Sequence, residues 1–458
     1  MQGLPEGAPR FGFMARIAPF CAWRYNPEKI PQLSRVTSPP YDVIDRKQQE
    51  QLHKRHPFNV VRLELGEELP GDDEKHNRYT RAAGFLKKWQ RDRVLIKDPR
   101  PSVYLYQHRF QGLNGERITR KGLVVLLYLE PLGGGVVFPH EETFPKHKKD
   151  RLELLRACKA QFNPIFSIFP DPIGEVARLL EPPSPDPDLL VSDEQGVDHL
   201  VWGLDDPQFI RDLVEAMAPK AVFIADGHHR YETSLRFQSE QKGQEDPRSP
   251  ANWTLMYLSP MEDPGLIVFP THKLVRGLRD FSPQDFLKDL ERDFHLEELP
   301  FFSYGEPQAR RELAARMKRL ALESLPMGLA LPGEESYWII RPKDISKIQS
   351  FLGHLEEPLR RLDVTLLHEL ILKNRMGIDI GRQGQSQLLF SHDLEEALDT
   401  AFRKKVQAAF LMNPIPIQTL KQVAAAKCKM PQKATYFYPK LLSGLLIRTM
   451  DTQEAYIS

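Results

Sequence analysis

The run Ala221–Thr233 constrains the fold of this chain more than any other stretch. It begins Ala221-Val222-Phe223-Ile224-Ala225, an apolar, β-branched series that suits a buried strand, with Pro219 and Lys220 just before it. It ends with helical spacing, since Tyr231 and Leu235 lie four apart on one face. Between the two, Asp226-Gly227 makes a sharp turn whose glycine can take a positive φ and let another group approach the backbone. A strand, a glycine turn and a helix start bring backbone N–H groups and a partial positive charge to one point, which is an anion site. Asp226, His228, His229 and Arg230 gather there, a set suited to a phosphate group and a metal ion. A core strand followed by histidines that cap a helix would use the same residue types. The density of polar and glycine positions directly after a buried strand favours function, because α/β folds place their sites in such loops.

At 458 residues the chain has room for two or three cores. The expected architecture is α/β to α+β: a mixed sheet core carrying the strand–turn–helix over residues 1–276, then a smaller α+β domain over 277–458 where the texture changes. A formal charge of +1 argues against nucleic-acid binding by bulk electrostatics. Cys21, Cys158 and Cys428 are far apart, with neither metal-ligand nor disulfide spacing. No apolar span of about 18 residues occurs, and Met1–Arg16 reads as neither signal peptide nor anchor, so a cytoplasmic protein is expected.

Along the chain, Ser38-Pro39-Pro40-Tyr41-Asp42 is a stiff loop able to present a tyrosine and an aspartate to a pocket. Asn59–Leu65 alternates as a strand does, and residues 102–110 and 118–129 read as a hairpin linked by Gly112-Leu113-Asn114-Gly115. Phe138–Thr143 contains His140 and Glu141. The basic tract Lys146–Lys149 follows, and Asp150-Arg151 is expected to open a helix to Ala160. Carboxylates, an imidazole and cations so close together suit a metal–nucleotide complex, although a solvated lysine loop would look alike. In the tail, Tyr436 and Tyr438 share a face if extended, beside Lys433 and Lys440.

Ser38–Val43, His140-Glu141, Asp150-Arg151-Leu152, Ala225–Thr233 and Met430–Lys440 together resemble a widespread prokaryotic family known as domain of unknown function 1015. The Asp226–Arg230 turn also resembles the phosphate-binding turn of the ParB/sulfiredoxin superfamily, which includes ATP-dependent free-serine kinases. That second resemblance implies kinase rather than phosphatase chemistry, with ATP and Mg²⁺ as cofactors. From the residues alone, the function expected is phosphoryl transfer or phosphate-ester chemistry on a small molecule. Gly227, His228, Arg230 and Arg151 would hold phosphate, and Asp226, Glu141 and His229 would act in catalysis. A regulatory protein that binds a nucleotide or phosphate without catalysis would use the same turn. Three-ligand metal hydrolysis is strained, because adjacent histidines rarely aim at one ion. His140, Glu141, Arg151, Asp226, His228, His229 and Arg230 are expected to surround one pocket.

Overall fold

The computed structural model describes residues 15–450, apart from 113–114, 142–144, 242, 244, 322, 380–383 and 432. Leu113-Asn114 of the hairpin link, Glu142-Thr143 of the His140 tract and Gln432 of the tail motif therefore lie outside the described residues. The chain forms two units. The first comprises Met1–Pro139, Thr143–Leu266 and Pro439–Ser458, and the second His140–Glu142 and Ile267–Tyr438.

The first unit is built on a mixed nine-stranded sheet. Its order is Val137–Phe138, Val222–Asp226, Ile165–Phe169, Trp253–Pro260, Arg117–Tyr128, Val103–Gln111, Asp198–Leu204 and Leu189–Ser192, with Ile17–Ala18 also paired to Arg117–Tyr128. Val103–Gln111 and Arg117–Tyr128 pair antiparallel, as the hairpin reading requires. The strand Val222–Asp226 runs parallel to Val137–Phe138 and antiparallel to Ile165–Phe169, with a register shift between Ile224 and Asp226. Its alternation buries Val222 and Ile224 in the main core, where Tyr231 of the next helix joins them. The Tyr231 hydroxyl donates to the Glu130 carbonyl at 2.8 Å, fastening that helix.

Two local readings are corrected. Val61–Glu64 is a turn of helix, not a strand. The Asn59 side chain accepts from the Val61 N–H at 3.0 Å and donates to the Arg35 and Thr37 carbonyls, so tertiary hydrogen bonds override β-branched propensity. Helix Pro145–Cys158 begins five residues before Asp150, so the basic tract is helical rather than a loop. Proline is well tolerated in a first helical turn, because the N–H it lacks would have no intrahelical partner there.

The second unit holds a six-stranded antiparallel sheet ordered Phe294–Pro300, Ser336–Pro342, Met327–Ala330, Ala408–Leu411, His272–Val275 and Leu388–Ser391. A separate pair joins Ile267–Phe269 to Tyr436–Tyr438. A cut after residue 276 would fall just past His272–Val275, whose partners lie over a hundred residues further on. Among the described residues no helix is long and apolar enough to cross a membrane.

Candidate functional site

The strand Val222–Asp226 ends at Gly227, which lies in the left-handed region (φ 91°, ψ 28°) and serves as N-cap of helix His228–Glu240. A Cβ at this glycine would stand 2.9 Å from the Arg230 guanidinium, so both conformation and space require glycine. As a glycine, the N-cap has no side chain with which to cap this helix. Asp226 sits between two cations: Arg230 Nη2 is 3.3 Å from one carboxylate oxygen and Lys440 Nζ 3.4 Å from the other.

Arg230 also braces the fold. Its Nη1 donates to the Asn163 side-chain oxygen and to the Pro164 carbonyl, the latter at 2.6 Å. The amide of Asn163 then donates to the Leu441 carbonyl at 3.1 Å and to the Ser443 hydroxyl at 3.0 Å. The tail is held in turn against the Ser38 loop, where the Ser443 N–H donates to the Ser38 carbonyl at 2.8 Å. Gly444, at φ 88°, passes so close to Val60 that a Cβ would meet it at 2.9 Å. Four distant stretches thus converge through Asn163 on the turn.

Arg151 lies beside this network, buried, with its Nε and Nη2 donating to Asp150 at 2.8 and 2.6 Å. Its guanidinium stacks 4.0 Å from the centre of the Tyr41 ring. Burial raises the Tyr41 hydroxyl, Asp42 adds to this, and Arg151 and Arg230 oppose it. Glu64 is buried nearby. Burial pushes its carboxyl up, against the pull of Arg151 and a hydrogen bond from Ser443. Glu64, Arg151, Asn163, Arg230 and Thr233 line a cavity of about 50 Å³. At roughly 10–15 Å³ per water its enclosed part holds a few waters.

In the second unit, Glu141 accepts from the Lys433 N–H at 3.1 Å, and His140 Nε2 lies 3.1 Å from the Thr435 hydroxyl. Lys273 is wholly buried there, and burial lowers it to about 7 despite Asp363 and Glu141. Burial raises the Asp363 carboxyl to about 6. Among the described residues no group of three or more His, Cys, Asp or Glu side chains is arranged to hold a metal ion.

The sequence model of a family described as a protein of unknown function, DUF1015, matches residues 17–365. The chain belongs to that family. No curated protein matches the chain. Several solved structures resemble this DUF1015 protein distantly. A free serine kinase variant in complex with ADP has 12% identity and a TM-score of 0.36, over 70% of this chain and 92% of that one. A conserved hypothetical protein from Pyrococcus furiosus has 11% identity and a TM-score of 0.34, over 69% and 93%. SbnI from Staphylococcus aureus, truncated at its C-terminus, has 9% identity and a TM-score of 0.34, over 70% and 87%.

Of the residues singled out in this DUF1015 sequence, the first unit gathers Asp226, Gly227, His228, His229 and Arg230 at one helix start, with Arg151 in the neighbouring cavity wall. His140 and Glu141 belong to the second unit. His228 is buried and His229 half-buried. Tyr41 and Lys440, read only as pocket-shaping residues, prove to be direct neighbours of Arg151 and Asp226. Asn163 and Glu64 were missed. Asn163 had one usable signal, a polar amide before the proline that interrupts an apolar strand. Glu64 had none, because alternation placed it on a strand.

Proposed function

We propose that this protein binds a phosphate-bearing ligand, such as ATP, at the Asp226–Arg230 turn and transfers a phosphoryl group to a hydroxyl of a small cytoplasmic metabolite. One observation carries the reading: a buried strand leads into a left-handed glycine, which has no side chain of its own to cap the helix, and two cations stand beside it. Helices Arg46–Arg55 and Pro207–Met217 are capped by Asp45 and Asp206, which accept from their first turns. At Gly227 a ligand anion takes that role, favoured by the helix dipole. Gly227 and His228 offer backbone, while Arg230 and Arg151 supply positive charge. Arg230 acts through its field, since Nη1 is committed to Asn163 and Pro164. Asp226 orients or deprotonates the acceptor, with Glu141 and His229 as the further catalytic candidates.

The side chains do not fit a protein-held Mg²⁺. No cluster of ligands is present among the described residues, and a dication at Asp226 would have to displace Lys440 or Arg230. The engagement of both Asp226 oxygens also favours a second reading, a regulatory protein that binds a nucleotide without turnover.

Thermal shift with ATP, ADP, AMP and inorganic phosphate tests the binding. A ligand at a hundred times its Kd stabilises by about 2.7 kcal/mol. Turnover that falls in Asp226→Asn and Glu141→Gln marks an enzyme, and binding without turnover marks the regulatory protein. No shift with any of the four ends both readings.

A further inference from the structure

Lys273 lies within the strand His272–Val275, and its side chain is fully buried. Its ammonium donates to the Thr271 carbonyl at 3.1 Å and to the Lys433 carbonyl at 2.6 Å. Residue 433 is held on its other side too, because its N–H donates to Glu141 Oε1 at 3.1 Å. Between these two hydrogen bonds Lys433 sits at φ 55°. A residue with a Cβ stays in that left-handed region only where its surroundings hold it there. Two contacts run alongside: the Met430 N–H donates to the His140 carbonyl at 2.7 Å, and the His140 imidazole meets the Thr435 hydroxyl at 3.1 Å. Residues 140–141 are laid against 430–435, and the strained residue couples them to Lys273.

We propose that Lys273 is a positioning residue, whose buried ammonium holds the Lys433 peptide left-handed so that its N–H fixes the Glu141 carboxylate. The functional meaning rests on Glu141 acting in turnover, as proposed above; the lock itself does not. A buried lysine is costly as a core filler, since a charge taken out of water must be repaid by its partners. Here the partners are named. Asp363 and Glu141 favour the ammonium, Lys433 opposes it, and the Phe390 ring lies 5.4 Å away. The nearby imidazoles of His272 and His368 are kept neutral, first by burial and then by Lys273 itself. With burial bringing Lys273 to about 7, the lock is charge-assisted in mild acid and loses that charge above neutrality.

Hydrogen exchange over residues 430–436, measured on the full chain, tests this without any substrate. In Lys273→Met, exchange quickens by roughly tenfold or more, the scale of a lost charge-assisted hydrogen bond. Adding Lys433→Gly restores protection, because glycine takes positive φ without a lock, whereas adding Lys433→Ala does not. A purely structural role for Lys273 would show no such selectivity. Unchanged exchange in Lys273→Met, or equal rescue by glycine and alanine, overturns the proposal. If Lys273→Met does not fold, Glu141→Ala decides. It removes the acceptor of the Lys433 N–H, so exchange at residue 433 quickens, and unchanged exchange there overturns the lock. Exchange that behaves as expected, combined with turnover unaffected by Glu141→Gln, leaves the lock standing and rejects the catalytic role of Glu141.

Discussion

The polar turn of the first unit and the buried cluster of the second use similar residue types to opposite ends. Asp226, Gly227 and Arg230 lie within one short run. The side chains of Asp226, Arg230 and Lys440 keep 20%, 12% and 13% of their surface exposed. Lys273, Asp363, His368, Glu141 and Lys433 come from four separate stretches, and the ammonium at their centre keeps none. A contiguous turn at a helix start meets a ligand with backbone already ordered by the strand before it. The buried ammonium of Lys273 has no access to a ligand and can only hold geometry, while Glu141 and Lys433 at the edge of the cluster stay half-exposed. The difference separates recognition from positioning, and each half can be broken separately.

The largest effect is expected at Gly227→Ala. A non-glycine residue in the left-handed region costs about 1–3 kcal/mol, and the new Cβ would meet the Arg230 guanidinium at 2.9 Å. Stability measured by urea unfolding should fall by about 3 kcal/mol, and nucleotide or phosphate binding should disappear with it. If stability falls but binding persists, recognition does not depend on the turn. The comparison then fails on its first side.

Arg230→Ala comes next. Calorimetry should show anion binding weakened by up to about 2 kcal/mol, the scale of a charge acting through its field at a partly buried helix start. Stability should fall as well, by about 1–3 kcal/mol, because the Asn163 and Pro164 acceptors lose their donor. A loss of stability with unaltered binding would place Arg230 with the positioning groups.

These two regions were not equally legible in the sequence. The turn could be read because its determinants are local: an apolar run, one glycine and a helical repeat within a single stretch. The hairpin and the helix capped by Asp206 were legible for the same reason. Glu64 and Asn163 were hidden because their roles depend on the tail 441–444, far along the chain. Asn59 shows how the misreading arose. Local alternation signals a strand, while three hydrogen bonds from one side chain bend the segment into helix. The lock at Lys433 left no trace, since nothing in Lys433-Ala434-Thr435 announces a positive φ.

The third test uses pH on the buried side. Lys273 is lowered by burial from an ordinary 10.5 to about 7, so between those values the unfolded chain binds the proton and the folded one does not. Stability therefore rises with pH across that window and is smallest below about 7. Relative to Lys273→Met, the wild-type protein should gain about 1.5 kcal/mol between pH 7 and 8.5, given about 1.4 kcal/mol per unit at most. A difference that stays flat, or falls, means the ammonium is not the titrating group.

The smallest effect on binding is expected at Lys440→Met. Lys440 pairs with Asp226 at 3.4 Å, and both side chains are mostly buried without being sealed. If the pair serves only the fold, its removal lowers stability, Arg230 being left as the counter-ion of Asp226, and leaves ligand affinity alone. If it serves recognition, the loss leaves Asp226 less neutralised beside the helix start, where its charge repels an anion. Phosphate binding should then weaken by about 0.5–1 kcal/mol, with a shallower dependence on salt, because one attractive charge within the screening length is gone. Lys440→Arg should restore both. An unchanged affinity across this series would mean that the cations of the turn, like Lys273, hold geometry, and that any anion is bound by the backbone of the helix start alone.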